Sequence, residues 1–419
     1  MRIVYLHQYF ATPSGSSGTR SFEMARRLVA AGHEVHVVTS SRLIEGPDRG
    51  WGEQTVEGIH VHALANIYSD NMGTIRRIWS YARFALLSMR RARSLGGDVV
   101  FATSTPLTIS IPGVWASWRN GIPMVFEVRD LWPEMPIAIG ALKNRFAIVI
   151  ARWLEKVTYR RSERVVALSP QMAEGVVATG YEPARVATIP NSCDFDLFSV
   201  SPTAGEAFRR RDAWIGDRRL VLYAGSFGQV NDLAYLVRLA EAVYRRDPEI
   251  RFLLVGEGRE EEHVRSEALR LGVLDVNLKM CGPMPKTEVV SALSAADVAC
   301  SIFIDLPEMW ANSANKWFDA LASGTPTLVN YRGWQAELLE ATGAGLVVSA
   351  TDLELAADDL VERLHDPSWC TIAGEAAEEL GRARFDRDDL AHQLEDVLEQ
   401  AVGDHGSRSR RFGPIVRRR

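Results

Sequence analysis

Short apolar runs rich in valine and isoleucine alternate with segments of helical spacing along this 419-residue chain. Such alternation is typical of parallel βαβ units, because each parallel crossover needs a helix to reach the next strand. The predicted strands lie at residues 3–6, 35–38, 99–101, 124–127, 165–168 and 186–189, and again at 220–223, 252–255, 298–303 and 327–330. The sequence therefore predicts an α/β chain with two Rossmann-like parallel sheets.

A chain of this length is expected to form two domains, because single hydrophobic cores rarely grow beyond about 250 residues. Residues 190–202 have neither strand nor helix spacing, which favours a hinge. We predict a first domain over residues 1–189 and a second over 203–385. A helix at 386–402 follows, and then a basic tail at 403–419 that has little to bury and is expected to be disordered.

Composition excludes several classes of protein. A net charge of -5 and a pI near 6.0 argue against a nucleic-acid binder. The start of the chain has no signal-peptide pattern, and no apolar run reaches the roughly 18 residues of a membrane span. The four cysteines are widely spaced, which indicates neither a zinc site nor a disulfide framework. We expect a cytoplasmic protein without a bound metal.

The segment 312–326 carries the strongest sign of a ligand site, because it places polar residues at the start of a short helix between two predicted strands. Asn312 or Ser313 is expected to cap this helix. Lys316 and Asp319 are three residues apart and therefore share one face. In a parallel sheet such a helix begins at the carboxyl edge, where anions bind. The segment predicts a phosphorylated ligand flanked by a cation and a carboxylate.

A glycine-rich loop follows the first strand of the second half and contains Gly225, Ser226, Gly228 and Asn231. Glycines allow backbone N–H groups to approach a diphosphate closely. The loop has no arginine or lysine, so we expect Lys316 to supply the neutralising charge.

The first half has a corresponding loop with Gly15 and Gly18, which is suited to a phosphate or a sugar oxygen. Glycine and serine also fill loops that bind nothing, so both interpretations stay open. Arg129 and Asp130, with Glu134, follow the strand at 124–127 and are further site candidates. The alternative for Arg129 and Asp130 is a solvated ion pair.

A basic amphipathic segment lies in the first half. Its apolar residues are Ile75, Ile78, Trp79, Ala82, Ala85, Leu86 and Met89, and its arginines are Arg76, Arg77, Arg83, Arg90, Arg91 and Arg93. Such a helix can lie on an anionic membrane, and it can equally turn its apolar stripe toward the sheet. Peripheral contact with the inner face of the plasma membrane is therefore one of two interpretations.

With these motifs placed, the chain resembles the family 4 retaining glycosyltransferases of GT-B fold over nearly its whole length. In type it is most similar to bacterial members that build aminosugar-containing surface polysaccharides. The matching segments are residues 5–10, 18–25, 32–35, 129–133 and 315–320. Pro190, Asn191, Asp194 and Phe198 resemble the hinge motif of the family, and Gly333 and Glu337 fall where a Gly-Gly-x-x-Glu loop is expected.

The resemblance implies two Rossmann-like domains that face a central cleft. The first domain would bind an acceptor and the second a nucleotide diphosphate sugar, with the helix at 386–402 crossing back to the first domain. It also implies transfer with retention, and no metal or other cofactor beyond the donor substrate. A donor phosphate oxygen would take the proton of the attacking hydroxyl.

The same resemblance assigns roles to single residues. Lys316 and the glycine loop would stabilise the leaving diphosphate, and Asp319 would hold the ribose hydroxyls. Gly282, Pro283 and Met284 would meet the base.

The chain also departs from the motif of the family. Ala311 replaces the first acid of the Glu-x7-Glu motif, so Glu308 would substitute or Asn312 and Asn315 would contact the sugar. Ser226 and Asn231 stand where many members have arginine and lysine.

The sequence thus predicts a glycosyltransferase for a hexose or an aminosugar. Its acceptor would be a polyprenyl-diphosphate-linked glycan or a small natural product. Two alternatives remain: a non-hydrolysing nucleotide-sugar 2-epimerase, and a degenerate subunit that binds a partner transferase.

Overall fold

The computed structural model describes residues 1–12, 18–41, 47, 49–65, 74–104, 106–198 and 202–412. The chain divides into two compact units. The first comprises Met1–Pro190 with Asp388–Arg419, and the second comprises Asn191–Arg387. None of the helices in these ranges combines the length and the apolar character needed to cross a bilayer.

The first unit is built on an eight-stranded sheet. Its strands are β1 (Arg2–Leu6), β2 (Glu34–Ser40), β3 (Trp51–Val56), β4 (Ile59–Leu64), β5 (Val99–Thr103), β6 (Met124–Val128), β7 (Arg164–Ala167) and β8 (Val186–Thr188). They are ordered β3-β4-β2-β1-β5-β6-β7-β8. All neighbours are parallel except β3 and β4, which pair antiparallel at the edge of the sheet. Both faces of the central strands are buried, as expected for a parallel sheet.

Helices cover both faces of this sheet. They are α1 (Arg20–Ala30), α2 (Thr74–Leu95), α3 (Ser110–Asn120), α4 (Glu134–Ala138), α5 (Arg145–Arg161), α6 (Pro170–Ala178) and the C-terminal α16 (Arg387–Phe412). One core contains side chains of α1 and α16, and the other contains side chains of α2, α3, α5 and α6. The chain therefore returns at its end to complete the first unit.

Helix α16 continues to Phe412, which corrects the expected disorder over residues 403–412. Arg164 donates a hydrogen bond of 2.8 Å to Asp404 and thereby anchors the extension. Ala401, one turn earlier, is fully buried. Residues 413–419 of the predicted tail lie outside the described residues.

The second unit has a six-stranded parallel sheet. Its strands are β9 (Leu220–Ala224), β10 (Arg251–Val255), β11 (Leu278–Cys281), β12 (Val298–Ser301), β13 (Thr327–Val329) and β14 (Gly345–Val347), in the order β11-β10-β9-β12-β13-β14. Its helices are α7 (Phe195–Phe198), α8 (Pro202–Arg210), α9 (Leu233–Tyr244), α10 (Glu261–Arg270), α11 (Lys286–Ala295), α12 (Asn315–Ala322), α13 (Trp334–Thr342), α14 (Leu353–His365) and α15 (Pro367–Arg384). The order reverses between β9 and β12, which brings the loops after these strands to the ligand-binding edge of an α/β sheet.

The two parallel-sheet α/β domains predicted from the sequence are confirmed. Every predicted strand is present, but the sequence analysis missed β3, β4, β11 and β14. Strand β4 has histidines in its second and fourth positions, and β14 has only three residues, so neither gives a clear apolar run.

Candidate functional site

Helix α12 begins at Asn315, one or two residues later than a cap at Asn312 or Ser313 would place it, so the expected side-chain cap is wrong. Ala314 occupies the N-cap position and has no side-chain oxygen that could accept a hydrogen bond. Asn312 instead accepts a bond of 3.2 Å from the Ala314 N–H, which turns the chain just before the helix. The first N–H groups of α12 are therefore left without a capping side chain, and an anion can take that place.

Lys316 in the first turn of α12 reaches an aromatic and amide environment. Its Nζ donates hydrogen bonds to Asn231 Oδ1 at 2.8 Å and to the Tyr223 hydroxyl at 3.1 Å. The same Nζ lies 4.6 Å from the centre of the Tyr223 ring and 4.7 Å from that of Phe303. In the described part of the chain no carboxylate forms an ion pair with it, so its charge is left for a ligand.

Burial lowers the pKa of Lys316 to about 7. Enclosure by rings and amides disfavours the ammonium form, and no described carboxylate pairs with it to compensate. A bound diphosphate would reverse this balance, because a nearby anion favours the charged form of a lysine.

Asn231 joins Lys316 to the glycine loop after β9. Its amide nitrogen donates to the Ser226 carbonyl at 2.9 Å, while its amide oxygen accepts from Lys316. The Tyr223 hydroxyl donates to the same Ser226 carbonyl at 2.8 Å. Asn231 therefore acts by positioning the loop and the lysine, and its side chain is 6% exposed.

The glycine loop packs backbone to backbone against the turn after β10. A Cβ on Gly258 would lie 2.5 Å from the Phe227 carbonyl oxygen, and one on Gly256 would collide with the Gly225 carbonyl. Gly256 also has a φ of 144°, which side-chain-bearing residues rarely adopt. Both glycines are required for this close approach, and neither was singled out from the sequence.

The glycine loop keeps two donors for a ligand. The N–H groups of Gly225 and Phe227 donate to the Val255 and Glu257 carbonyls. Within the described ranges, the N–H groups of Ser226 and Gly228 donate to no other residue. Two donors beside one lysine form an arrangement suited to phosphate oxygens.

Asp319 is held by a residue that the sequence analysis missed. Lys286 Nζ donates to Asp319 Oδ2 at 2.6 Å. Lys286 starts α11 and follows the segment Gly282, Pro283 and Met284 that is expected to meet the base. The sequence separation of 33 residues hides the pair, although the fold brings the starts of α11 and α12 together.

Asn312 and Asn315, two other residues predicted for the donor site, differ in the hydrogen bonds that their side chains form. The side-chain amide of Asn312 donates to the Met309 carbonyl at 2.7 Å, and the backbone carbonyl of Asn312 accepts from the Trp334 indole at 2.8 Å. Asn315, at the start of α12, is half-buried and has no hydrogen bond from its side chain to a described residue. Asn312 therefore shapes the loop, while the Asn315 amide remains available.

Two further positions bear on the missing acid of the Glu-x7-Glu motif. Ala311 is buried, and Glu308 is half-buried in the short turn Pro307–Met309.

In the first unit, Arg129 lies at the end of β6 beside a buried histidine. Its Nη1 is 3.4 Å from His7 Nε2, and its own N–H donates to the Ser104 hydroxyl at 2.9 Å. Burial and the charge of Arg129 hold the pKa of His7 well below its usual range, so the imidazole is neutral. His7 Nδ1 is buried without a hydrogen-bond partner among the described residues. Asp130 follows Arg129 and is also half-buried.

The sequence analysis missed a buried ion pair near these residues. Arg20 Nη2 lies 2.9 Å from Glu127 Oε1, and both side chains are almost fully enclosed. Arg20 also donates to the Ile189 carbonyl at 2.9 Å. The pair ties α1 to β6 and to the end of the unit. Gly18, two residues before Arg20, is exposed, and Gly15 lies outside the described residues.

Among the residues that the structure describes, two groups of side chains have the spacing of a metal site, and both belong to the first unit. They are Glu34 with His36 and His60, and His33 with Glu395 and Glu399. Neither group contains a predicted site residue. Hydrogen bonds to Arg2 and His36 already occupy the Glu34 carboxylate.

Two models of glycosyltransferase families match the chain. Residues 15–192 match the model of the glycosyl transferase 4-like domain, and residues 205–381 match that of the glycosyl transferases group 1. Both halves are glycosyltransferase domains. The group 1 domain contains Lys316, Asn231 and the glycine loop. The glycosyl transferase 4-like domain, called the 4-like domain below, contains Arg129.

Curated relatives are distant in sequence. A probable glycosyltransferase WbjE of Pseudomonas aeruginosa is 23% identical over 65% of this chain and 66% of its own length. A D-inositol 3-phosphate glycosyltransferase of Kribbella flavida is 27% identical over 54% of each chain. An MMP alpha-(1->4)-mannosyltransferase of Mycolicibacterium hassiacum is 21% identical over 96% of this chain and 98% of its own. The first two are thus matched over less than two thirds of their length.

Solved structures show the same fold. A sucrose-phosphate synthase from Thermosynechococcus elongatus superposes with a TM-score of 0.77 at 18% identity, covering 96% of this chain and 99% of its own. Anabaena Alr3699/HepE in complex with UDP-glucose superposes with a TM-score of 0.73 at 17% identity, covering 96% and 100%. The fold of the chain is therefore GT-B.

Proposed function

We propose that the chain transfers a hexosyl or aminosugar residue from a nucleoside diphosphate sugar to an acceptor hydroxyl, with retention of configuration. The observation that carries this proposal is Lys316, a lysine without an ion pair to a described carboxylate, beside the free N–H groups of Ser226 and Gly228. Preorganised donors of this kind stabilise charge as it develops on a leaving group. The UDP-glucose bound by Alr3699/HepE, which has the same fold, is consistent with such a donor.

In the proposed reaction the bond between the anomeric carbon and the diphosphate oxygen breaks, and its electron pair stays on the diphosphate. Lys316 and the two N–H groups stabilise that charge, so no metal ion or cofactor is required. The acceptor oxygen forms the new bond on the face that the diphosphate leaves. A phosphate oxygen of the donor takes the proton of the acceptor hydroxyl.

Neighbouring side chains have supporting roles in the proposal. Asp319, held by Lys286, takes the ribose hydroxyls, and the segment containing Gly282, Pro283 and Met284 meets the base. The Asn315 amide contacts the sugar. Arg129 and Asp130 of the 4-like domain belong to the acceptor side. The acceptor is a lipid-linked glycan or a small molecule.

Calorimetry with nucleoside diphosphates tests the donor site. We expect Lys316→Ala to weaken diphosphate binding by about 1.5 to 3 kcal/mol, the range for hydrogen bonds to charged groups. Arg363→Ala, an exposed substitution elsewhere in the second unit, is the control and should bind as the wild type does. Binding that is unaffected by Lys316→Ala would contradict the assignment, and no binding by the wild type would favour a degenerate subunit.

A thermal-shift screen across nucleotide sugars then identifies the donor, because a ligand that binds the native state raises the melting temperature. Turnover is measured with the best donor, in the presence and absence of EDTA. Loss of turnover in EDTA would overturn the metal-free mechanism. Donor turnover without any acceptor would instead favour the epimerase alternative.

A further inference from the structure

Three neighbouring helices of the first unit expose large apolar side chains on their outer faces. These side chains are Trp79 and Leu86 on α2, Ile111 and Trp118 on α3, and Phe146, Val149, Ile150 and Trp153 on α5. They are eight of the thirteen large apolar residues that are exposed in the described ranges, and the other five lie in the second unit. We call these eight residues, with the exposed arginines and lysines of the same helices, the three-helix surface.

Helix α5 shows most clearly that this surface lacks a partner. Phe146, Val149, Ile150 and Trp153 follow the spacing of one helical face, and Phe146 is 82% exposed. The opposite side of α5 already faces the core through Tyr159. A surface helix of a globular protein normally has one apolar stripe, and this helix has a second one that points to solvent.

Helices α2 and α3 extend the exposed apolar area. Helix α3 packs against both α2 and α5. Trp118 is 60% exposed at the end of α3, and Trp79 is 67% exposed on α2. The area is therefore shared by three adjacent helices, and a single helix end could not account for it.

The charge of the three helices complements an anionic surface. They contain twelve arginines and lysines and one acid, Glu155, in a chain whose net charge is -5. Glu155 is buried, so it offers little negative charge to the outside. On α5, Arg145, Lys156 and Arg160 are exposed next to the apolar face.

We propose that the three-helix surface docks on an anionic lipid bilayer. The aromatic and aliphatic side chains enter the boundary between headgroups and acyl chains, and the arginines and lysines meet lipid phosphates. Tryptophan is well suited to this boundary, because its ring is apolar and its N–H is polar. A protein partner would have to present a matching acidic and apolar face, and a bilayer presents both everywhere.

This proposal revises the basis of the membrane interpretation made from the sequence. Ala85 of the predicted apolar stripe is buried, while Trp79, Ala82 and Leu86 are exposed with Arg76. The side chains of Ile75 and Ile78 lie outside the described residues. The face on α5 was not predicted, and it now carries most of the surface. The surface does not depend on the proposed transfer reaction.

Vesicle flotation with the full chain tests the proposal, using phosphatidylcholine vesicles with and without phosphatidylglycerol, an anionic lipid that attracts basic segments. We expect binding to the anionic vesicles only, and a severalfold loss of binding when the salt concentration rises from about 0.1 M to 0.5 M. The double variant Phe146→Ser/Trp153→Ser should lose at least about tenfold in partitioning, because both side chains leave the membrane.

Matched variants control this experiment. Leu355→Ser/Ile372→Ser removes two exposed apolar side chains of the second unit and should bind vesicles as the wild type does. Arg145→Gln/Lys156→Gln, which leaves the apolar face intact, should lose severalfold in binding to anionic vesicles. Nucleoside diphosphate binding measured on every variant shows that the fold and the donor site are intact, and keeps this test separate from that of the proposed function.

Three results would overturn the proposal. The first is wild-type protein that stays unbound in both vesicle types. The second is equal loss of binding in the Leu355→Ser/Ile372→Ser control. The third is a wild-type dimer that becomes monomeric in Phe146→Ser/Trp153→Ser without any vesicle binding, because the surface would then be an interface between copies of this chain.

Discussion

Asn231 Oδ1 and Lys316 Nζ are 2.8 Å apart, and this hydrogen bond connects the glycine loop to the first turn of α12. An amide oxygen orients the ammonium group without neutralising it. A carboxylate at the same place would form an ion pair with Lys316 and compete with an anionic ligand. The pair therefore explains why a neutral residue is suitable at position 231 beside a phosphate site.

The substitution Asn231→Asp tests this explanation. We expect the new carboxylate to pair with Lys316 and to weaken diphosphate binding by about 1 to 3 kcal/mol, as the net charge of the site falls to zero. Asn231→Ala, which removes the bond without adding charge, should have a smaller effect. Calorimetry with UDP and with GDP measures both. Tighter binding by the Asp variant would contradict the proposed role of the pair.

The affinity for a diphosphate should depend on pH through Lys316. Its pKa in the free protein is about 7 because of burial, and the bound anion favours the charged form. Binding above pH 7 therefore takes up a proton, and the affinity should fall as the pH rises, by up to about tenfold per pH unit. Calorimetry between pH 6.5 and 9 in two buffers of different ionisation enthalpy measures the uptake.

Lys316→Met is the control for this dependence, since it cannot titrate. Its affinity should be weak and nearly constant over the same range. A wild-type affinity that is also constant would show that another group carries the charge.

Asp319 and Lys316 should be distinguishable by the ligands they affect. Asp319→Asn should weaken binding of a nucleoside diphosphate by about 1 to 2 kcal/mol, through the ribose, and leave inorganic pyrophosphate unchanged. Lys316→Ala should weaken both ligands. Equal losses for both ligands in Asp319→Asn would place that carboxylate near the phosphates.

The glycine contact behind the loop should be essential for stability. Gly256→Ala adds a Cβ that collides with the Gly225 carbonyl and forces a strained φ, so we expect a loss of more than about 2 kcal/mol in the free energy of unfolding. Gly282→Ala is the control, because a Cβ there meets no atom within 4 Å and φ is not positive. Denaturant unfolding of the two variants measures the difference, and equal stability would contradict the packing.

Glu155 should reduce stability at neutral and alkaline pH. Burial, followed by the charge of Glu134, raises its pKa from 4.5 to about 7. The folded protein therefore holds a proton that the unfolded chain releases, and stability falls as the pH rises from about 4.5 to 7. Glu155→Gln should be more stable than the wild type by up to about 3 kcal/mol at pH 8 and nearly equal to it at pH 4.

Thermal or urea unfolding at both pH values measures this difference. The exposed Glu362→Gln should leave the stability unchanged at either pH. A Glu155→Gln variant that is less stable at pH 8 would indicate that the charged carboxylate has a stabilising partner.

Local sequence patterns predicted the fold and part of the site. The strands, the presence of helix α12 and the position of Lys316 in its first turn follow from spacing within one segment. The pairing of Lys286 with Asp319 and the approach of Gly256 to Gly225 could not be predicted, because they join segments that are separated in sequence and depend on strand order. Asn231 was expected to contact the ligand, which stays a prediction, and its hydrogen bond to Lys316 could not be read from the sequence.

The exposure of the apolar side chains on α5 could not be predicted from the sequence either. Phe146 and Trp153 have the spacing of a core-facing stripe, and only the packing of α5 through Tyr159 shows that they point outward. Apolar periodicity identifies a face of a helix, but it does not show which of two apolar faces packs against the core.

The position of α16 in the chain affects how the protein is made. Leu390, Leu394 and Leu398 complete a core that also contains Ile3 and Val35, yet they are translated after the whole second unit. The growing chain therefore exposes that face of the first sheet until α16 has been translated. The second unit can close before that point, and chaperones can bind the uncovered face of the first unit in the interval.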